Sequence, residues 1–446
     1  MRKKKNAFTL IELLAVIVIL AVILILAVIL VIAIPRILDV IETSKKDSFK
    51  NSAQLIADSA EKKKVSDKLL GKDEEITCKD VAKINDEDYA SCKISFDESG
   101  IAKVSITGKG KFDGLKITNG TKENAEVKEI TKPTYGMKAT EYITNLLEYD
   151  GEGLKIDNTP DQNIRYYGSN PNNYVRFNNE LWRIIGVFGN NVKLIRSEKL
   201  GNLSWDSSES SVNDGYGINQ WGESKDTSGN TYEGADLKVY LNKMYYGGDT
   251  TIKCYKFANN KEVACPTNKL NAESKVLVDN YTWNTGAPND SILYNSTTQS
   301  YDTVEFYKAE RVTTNGKLCS SGTGCNDTVT RTTEWPGYIA LPYVTDWAYA
   351  SSENDCNTKI DQSSTYKCKN NNWMHHGSKW NDGMWVLSPS DYADGTRMWR
   401  VRGDGCSTGS DGYAANPLSV FPTIYLKSDI LIESGKGTSS DPYILK

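Results

Sequence analysis

The sequence predicts an α+β protein: a long N-terminal transmembrane helix continues into a small β domain, and a large β-rich C-terminal domain follows. Three observations support this fold class. An unbroken apolar run lies near the N-terminus, apolar residues beyond it recur at helical spacing, and many short alternating segments are separated by turn residues. Because the chain has 446 residues, we expect two or three domains.

The composition excludes several classes of protein. Lys plus Arg number 53 and Asp plus Glu number 57, and this near balance argues against a nucleic-acid-binding protein. The only two histidines are adjacent, His375 and His376, so a multi-histidine metal site is unavailable to the chain. Tyr and Trp together far outnumber Phe, which predicts a hydrogen-bonding, β-rich surface. We expect no cofactor.

The first apolar run follows a basic cluster of residues 2–5. From Leu13 to Ile34, 22 residues include no charge, Pro or Gly. As a helix rising ~1.5 Å per residue, the run would be roughly 33 Å long, enough to cross a bilayer core. Basic residues hold their end in the cytoplasm, so we expect the rest of the chain outside. The run is too long for an ordinary signal peptide, whereas an uncleaved anchor stays an alternative.

Glu12 lies at the start of this run. An ionised carboxylate in lipid costs on the order of 3 kcal/mol unless it is paired, so a membrane anchor gains nothing from it. The stretch KKKNAFTLIELL, residues 3–14, resembles the class III leader and helix start of type IV prepilins and type II secretion pseudopilins.

The resemblance implies the processing and assembly of this segment. A prepilin peptidase would cut between Ala7 and Phe8 and methylate the Phe8 amine, and Glu12 would pair with a neighbouring subunit's amine during assembly. Ala7 departs from the family, which usually has Gly there. The chain would be a single-pass protein of the cytoplasmic membrane before assembly, with its globular part at the cell surface or in a pilus.

Beyond the membrane, apolar residues from Ile34 to Ala60 recur three and four apart, so the helix is predicted to continue along a globular head. We expect this helix to end at Gly71, because glycine often ends a helix. The predicted divisions are residues 1–7 as leader, 8–70 as helix, 71–132 as small pilin-like β domain, 133–159 as linker with a short helix at Ala139–Tyr149, and 160–446 as large β-rich extracellular domain.

The large domain carries a second, scattered resemblance. Residues 181–186 (LWRIIG), 385–389 (WVLSP) and 421–426 (FPTIYL) resemble a Trp/Arg-rich domain of Gram-positive surface proteins that is similar to C-type-lectin-like folds. That family has no established activity, so the resemblance implies none for this chain. The alternative is that these residues are core, with Arg183 and Arg400 pairing with buried carboxylates.

The nine cysteines form four close pairs and one singleton, Cys406. Short loops suit hairpin-closing disulfides, which need an oxidising compartment and so agree with the predicted topology. Spacing does not settle the connectivity, and Cys406 could join one of the pairs. We predict nearest-neighbour pairing: Cys78 with Cys92, Cys254 with Cys265, Cys319 with Cys325, and Cys356 with Cys368.

Candidate chemistry in the large domain is sparse. Trp380-Asn381-Asp382 matches a calcium-ligand triplet of C-type lectins, but the second loop of such a site is missing, and a solvated turn is the alternative. His375 and His376 lack any recognisable nucleophile context beside Cys406, Ser388 or Ser390. We therefore predict no catalytic residue and a protein that is not an enzyme.

These features together favour a pilin-like subunit, minor or tip-located because of its large head, that displays an adhesive or binding domain. Its expected partners are other pilin subunits, the prepilin peptidase, the membrane, and a glycan or protein ligand of residues 160–446. One alternative is a pseudopilin of a type II secretion or competence system. Another is an uncleaved membrane-anchored ectodomain.

Overall fold

A computed structural model describes the protein at residues 10–72, 75–82, 87–208, 216–217, 219–225, 229, 231–288, 293–311, 330–361, 367–377, 383–390, 396–403 and 408–446. At residues 10, 12–13, 25–35, 224–225, 330–331, 354, 361, 367 and 408–411 the description covers the backbone alone. The chain divides into two compact units, Met1–Lys132 with Glu148–Asp150, and Pro133–Leu147 with Gly151–Lys446. The α+β class with a large β-rich domain is confirmed.

The first unit is built on one helix, Leu10–Leu69. The residues that its distal half buries are spaced three and four apart, as the sequence predicts: Phe49, Ala53, Ile56, Ala57 and Ala60, each at most 3% exposed. Earlier members of the same apolar pattern, such as Ile37 and Ile41, are more than half exposed. The helix therefore packs on the sheet of this unit through its distal half.

A four-stranded antiparallel sheet covers that face of the helix. Its strands are adjacent in sequence order: Tyr89–Phe96, Ala102–Gly108, Leu115–Gly120 and Lys128–Glu129. Val104, Ile106 and Ile117 are almost fully buried and belong to the same core as Phe49 and Ala57. A short helix, Cys78–Val81, and a 3-10 turn, Gly110–Phe112, complete the unit.

Residues 133–159, predicted as a linker, are folded. The helix predicted within them is confirmed at Ala139–Tyr149, and an unpredicted strand, Leu154–Ile156, pairs with Ile164–Tyr166. Ile143 is fully buried in the core of the second unit, and the Ala139 amide donates to the Ile430 carbonyl at 2.7 Å. The turn residues that suggested a linker therefore connect elements of a folded domain.

The second unit is organised around a nine-stranded sheet with mostly antiparallel pairing. The antiparallel strands Tyr174–Phe177, Glu180–Phe188 and Asn191–Arg196 form its centre, and left-handed backbone at Asn178 and Asn179 turns the first hairpin. The strands in spatial order are Ile339–Ala340, Thr423–Tyr425, Asn191–Arg196, Glu180–Phe188, Tyr174–Phe177, Tyr443–Leu445 and Ile432–Ser434, with Ile164–Tyr166 on Glu180–Phe188 and Leu154–Ile156 beyond it.

A second sheet has five strands in the order Asn202–Leu203, Leu418–Ser419, Met384–Pro389, Arg397–Val401 and Thr408–Tyr413. Smaller sheets join Thr231–Tyr232, Ser224–Lys225 and Thr330–Arg331; Cys254–Tyr255 and Glu262–Val263; Tyr281–Asn284 and Glu334–Gly337; and Tyr294–Asn295, Ser300–Asp302 and Lys359–Asp361. Short helices occupy Asp236–Val239, Tyr240–Tyr246, Ala272–Lys275, Thr303–Ala309, Val344–Tyr349, Asn354–Asn357 and Lys367–Lys369.

Tryptophan fills the core of the second unit. The fully buried indoles are Trp182, Trp205, Trp221, Trp283, Trp347, Trp385 and Trp399. The Trp205 indole donates to the Val386 carbonyl at 3.1 Å, and the Trp385 indole donates to the Leu203 carbonyl at 2.9 Å. The expectation that the Tyr and Trp excess belongs to the surface is therefore wrong for most tryptophans. Four of the seven indole N–H groups find backbone acceptors inside, whereas those of Trp182, Trp221 and Trp347 have no partner among the described residues.

No helix among the described residues is both long and apolar enough to cross a membrane. The transmembrane helix expected at Leu13–Ile34 stays a prediction.

Candidate functional site

The first candidate site is the N-terminal part of the long helix. Every described side chain between Ile11 and Leu24 is exposed, from Val16 at 43% to Ile11 at 81%. Consecutive apolar positions such as Val18, Ile19 and Leu20 point in all directions around a helix of 3.6 residues per turn. A helix that is apolar all round needs a covering of lipid or of other apolar helices, because exposed apolar surface of this extent is unfavourable in water.

The residues with expected roles in processing lie at the edge of this description. Ala7 and Phe8 lie outside the described residues, and for Glu12 the structure gives the backbone alone, within the helix. Cleavage before Phe8, methylation of Phe8 and pairing by Glu12 therefore stay predictions.

The second candidate site is a cleft of about 900 Å³ in the second unit. It lies where the strands Tyr174–Phe177 and Glu180–Phe188 of the large sheet meet the chain after Asn191–Arg196, and Phe421 and His376 close the other side. We call this the Arg183 cleft. Its lining includes cationic, acidic, hydroxyl and aromatic side chains, a combination typical of ligand-binding sites.

Arg183 is 8% exposed, and burial lowers its pKa to about 10. Its Nε donates to Asn173 Oδ1 at 2.8 Å, while Nη2 donates to Asn170 Oδ1 at 3.4 Å and the Pro171 carbonyl at 3.3 Å. The guanidinium lies over the rings of Tyr174 and Trp373, 4.2 and 4.5 Å from their centres. The expected pairing of Arg183 with a buried carboxylate is wrong, because the acceptors around it are neutral.

Arg196 lines the same cleft, but its charge is balanced by a carboxylate partner. Its Nε donates to Glu180 Oε2 at 2.6 Å, and its Nη1 donates to the backbone carbonyls of Glu198 and Lys199 at 2.5 and 2.9 Å. A cation with a carboxylate partner and backbone acceptors has little remaining capacity for a ligand. Arg183 and Arg196 therefore offer different chemistry to the cleft.

Carboxylates do pair with buried cations elsewhere in the second unit, and this network was not predicted. Arg165 Nε donates to Asp157 Oδ2 at 2.8 Å, and its Nη1 donates to Asp346 Oδ1 at 2.7 Å. Lys193 Nζ donates to the other oxygen, Asp346 Oδ2, at 2.5 Å. The side chains of these four residues are at most 1% exposed. The network joins distant segments of the core and has no opening to solvent, so we assign it a structural role.

Burial shifts the protonation of this network and of its neighbour Glu310. Desolvation lowers the pKa of Lys193 to about 8, against the opposing attraction of Asp346. Desolvation would raise the pKa of Asp346, but Lys193 and Arg165 outweigh it and hold that pKa below its usual value. Glu310 is fully buried, and desolvation raises its pKa to about 7. Glu310 therefore lies near its titration midpoint at neutral pH, while Lys193 keeps its proton beside Asp346.

Of the groups considered for catalysis, Cys406 lies outside the described residues, and the two serines are not joined to a histidine. Ser388 Oγ and Ser390 Oγ are buried and have no hydrogen-bond partner among the described residues, so no histidine there activates them. The His376 ring stacks on Phe421 with 4.3 Å between ring centres, and burial lowers its pKa to about 4. His376 is therefore a neutral wall of the Arg183 cleft at physiological pH.

Three disulfides close short loops: Cys78–Cys92 in the first unit, and Cys254–Cys265 and Cys356–Cys368 in the second. Each joins the nearest cysteines in sequence, as predicted. Cys319, Cys325 and Cys406 lie outside the described residues, so the fourth pair and the leftover thiol stay predictions.

The weak calcium candidates, Asn381 and Asp382, also lie outside the described residues. Within the described part of the chain, no group of three or more His, Cys, Asp or Glu side chains is placed to hold a metal ion.

Sequence reasoning missed Arg165, Lys193 and Asp346, and it misjudged the surroundings of Arg183. The available signal was limited: Arg165 and Lys193 are charges inside otherwise strand-like segments, where one face must be buried. Nothing in the sequence tells which acid, more than a hundred residues away, would meet them.

Comparison with known proteins supports one region. Residues 2–28 match the family model described as the prokaryotic N-terminal methylation motif. Neither a curated protein nor a solved structure matches the chain, so the resemblance of the second unit to lectin-like domains stays a prediction. The matched segment runs into the exposed apolar helix, and together they support a type IV pilin-like prepilin segment at the N-terminus of a structural subunit.

Proposed function

We propose that the protein is a minor or tip-located pilin-like subunit of a type IV pilus-type filament, which assembles through its N-terminal helix and displays the second unit as a binding domain. A prepilin peptidase would cut between Ala7 and Phe8 and methylate the Phe8 amine. Glu12 would then pair with the Phe8 amine of a neighbouring subunit.

The observation that carries this proposal is the continuity of the methylation motif with the exposed apolar helix. The match ends at residue 28, and the described side chains from Ile11 to Leu24 lie uncovered within it. Such a segment is stabilised by packing among like helices or by lipid. A carboxylate at its start is costly in either setting unless a cation meets it, and a newly exposed amine on a neighbour supplies that cation.

The size of the second unit supports a minor or tip position. The helix packs on a small four-stranded sheet, and this pair already has its own core. The second unit adds residues 133–147 and 151–446, with a separate core of buried aromatic side chains. A head of this size would crowd a repeating helical filament, whereas one copy at a tip is free of that constraint.

Replacing Glu12 with Ala tests the assembly role. We expect the Glu12→Ala chain to be inserted and cleaved normally but to fall at least tenfold in sheared surface filaments, since ~1.4 kcal/mol of lost pairing already changes an equilibrium tenfold. The matched control is Asp39→Ala, which removes an acidic residue from the same helix beyond the apolar run. The control should assemble like the wild type.

Mass spectrometry of the mature N-terminus gives the second readout. We expect a chain that begins at methylated Phe8. An intact Met1 would show an uncleaved anchored ectodomain and overturn the proposal. A cleaved wild-type chain that never enters sheared filaments would instead identify a pseudopilin of a secretion or competence system. A Glu12→Ala chain assembled at wild-type level would remove the pairing role.

A further inference from the structure

The Arg183 cleft contains two polar groups whose hydrogen-bonding capacity is not used. Nε and Nη2 of Arg183 are engaged, but Nη1 has no hydrogen-bond partner among the described residues, although the side chain is more than nine-tenths buried. Ser197 Oγ is also buried and lacks a partner within the described chain. Both residues line the same cavity. An unpartnered buried hydroxyl and an unpartnered N–H on a largely buried guanidinium favour a ligand that satisfies both.

The charge of the cleft selects an anion. Its cationic side chains are Arg183, Arg196 and Lys199, and its carboxylates are Glu180 and Glu198. One positive charge is thus in excess, and the pairing of Arg196 with Glu180 places that excess on Arg183 and the exposed Lys199. The neutral acceptors around Arg183 hold its guanidinium in place without cancelling its charge.

The aromatic side chains of the cleft select a ligand with flat apolar faces. Tyr174 lies against the Arg183 guanidinium on one side, and the stacked rings of His376 and Phe421 form another wall. Aromatic rings beside hydroxyl groups suit a sugar ring, which has apolar C–H faces and a polar edge. A small inorganic anion would leave most of the 900 Å³ unfilled.

We propose that the Arg183 cleft binds an acidic saccharide, with the sugar carboxylate on Arg183 Nη1, a sugar hydroxyl on Ser197 Oγ, and the ring against Tyr174 and Phe421. Only one edge of the guanidinium is available, and the neighbouring His376 is neutral. This arrangement suits the single charge of a carboxylate better than a phosphate dianion, which needs several donors. The inference rests on the proposed binding role of the second unit but not on filament assembly.

The test uses the detergent-purified full-length chain and calorimetric titration with two matched ligand pairs. These are galacturonate trimer with its methyl ester, and sialyllactose with its methyl ester. We expect at least one acid to bind at least tenfold more tightly than its neutral partner, the effect of pairing a buried charge. No binding of either acid would overturn the proposal, as would inorganic phosphate binding as tightly as the better acid. Neither result would bear on filament recovery, so failure here leaves the assembly proposal standing.

Variants distinguish a ligand contact from a structural role. Arg183→Gln should bind the acid and its neutral partner equally well, and a loss of this discrimination is not expected from mere loosening of the fold. Ser197→Ala should weaken both ligands about threefold without lowering the melting temperature, because the hydroxyl has no partner to lose. Arg176→Gln, an exposed arginine on the adjacent strand, is the matched control and should bind like the wild type. Discrimination that survives Arg183→Gln would overturn the assignment.

Discussion

The two units of the chain form their cores in different ways. The first unit packs small and aliphatic side chains of one helix face, such as Ala53 and Ala57, on a four-stranded sheet. Most ion pairs among its described residues, such as Lys46 with Glu129 and Lys62 with Asp58, lie at the surface. Among its described residues the second unit buries eight tryptophans, seven of them completely, and places charged side chains among them.

This difference has an energetic consequence. Surface ion pairs contribute little to stability, with a median of about 0–1 kcal/mol. Buried pairs bring desolvation costs, so removal of one partner leaves a charge in a medium that cannot solvate it. The first unit is thus held mainly by apolar packing along a regular face, whereas the second depends on specific polar partners that meet across the fold.

The largest expected effect comes from removing Asp346, which pairs with both Arg165 and Lys193. We expect Asp346→Ala to destabilise the second unit by about 3–5 kcal/mol, because two cations lose a buried partner. Urea unfolding followed by tryptophan fluorescence measures this unit alone, since every tryptophan of the chain lies between Trp182 and Trp399.

The matched control for Asp346→Ala is Glu262→Ala. Glu262 pairs with Lys253 at 2.9 Å in the same unit, but both side chains are more than half exposed. The control should change stability by less than about 1 kcal/mol. Equal effects of the two substitutions would show that the buried network does not distinguish the units as we argue.

The same contrast explains what the sequence could predict. The buried face of the distal helix was predicted from local spacing, and the hairpin at Asn178 and Asn179 likewise reflects local turn chemistry. The three described disulfides also close short loops. Features that depend on neighbours in sequence are visible without a structure.

Features that depend on distant partners were not visible. Arg165 and Lys193 pair with Asp346, which lies 181 and 153 residues away in sequence. The spacing of apolar residues gives no information about pairs so far apart. Arg183 and Arg165 both lie within strand-like segments and cannot be told apart from the sequence. In the structure, however, Arg165 pairs with two carboxylates, whereas Arg183 pairs with none. The candidate cleft could therefore not be predicted, although the sequence analysis had named some of its lining residues, such as Arg183 and His376.

The next largest effect is a pH dependence of the stability of the second unit, caused by Glu310. Its folded pKa of about 7 lies above the unfolded value of 4.5, so the folded chain binds this proton more tightly. The resulting stability is complete below about pH 4.5 and is lost as pH rises toward about 7, at most about 3 kcal/mol. Arg311 and Thr345 oppose the shift, and Asp346 adds to it.

Glu310→Gln tests this effect. The amide keeps a hydrogen-bonding group near Thr345 but does not ionise, so the variant should lose less stability than the wild type between about pH 5 and about pH 8. Tryptophan-monitored urea unfolding at both pH values gives the comparison. Identical pH profiles would mean that Glu310 has an ordinary pKa. Among the described residues of the first unit no acid is fully buried, and the most buried one, Asp67, is 8% exposed.

The smallest effect tests the first unit, whose stability should depend on the fit of one apolar face. Ala57 is fully buried between helix and sheet, so Ala57→Leu adds volume where none is free. We expect a cost of about 1–3 kcal/mol from overpacking. Lys68→Leu introduces the same side chain at an exposed position of the same helix and should cost less than about 0.5 kcal/mol. Amide hydrogen exchange over Phe49–Ala60 reports this region, with about tenfold faster exchange for each 1.4 kcal/mol lost. Unchanged exchange in Ala57→Leu would mean that the helix and sheet separate easily, and close packing would then not be what holds the first unit together.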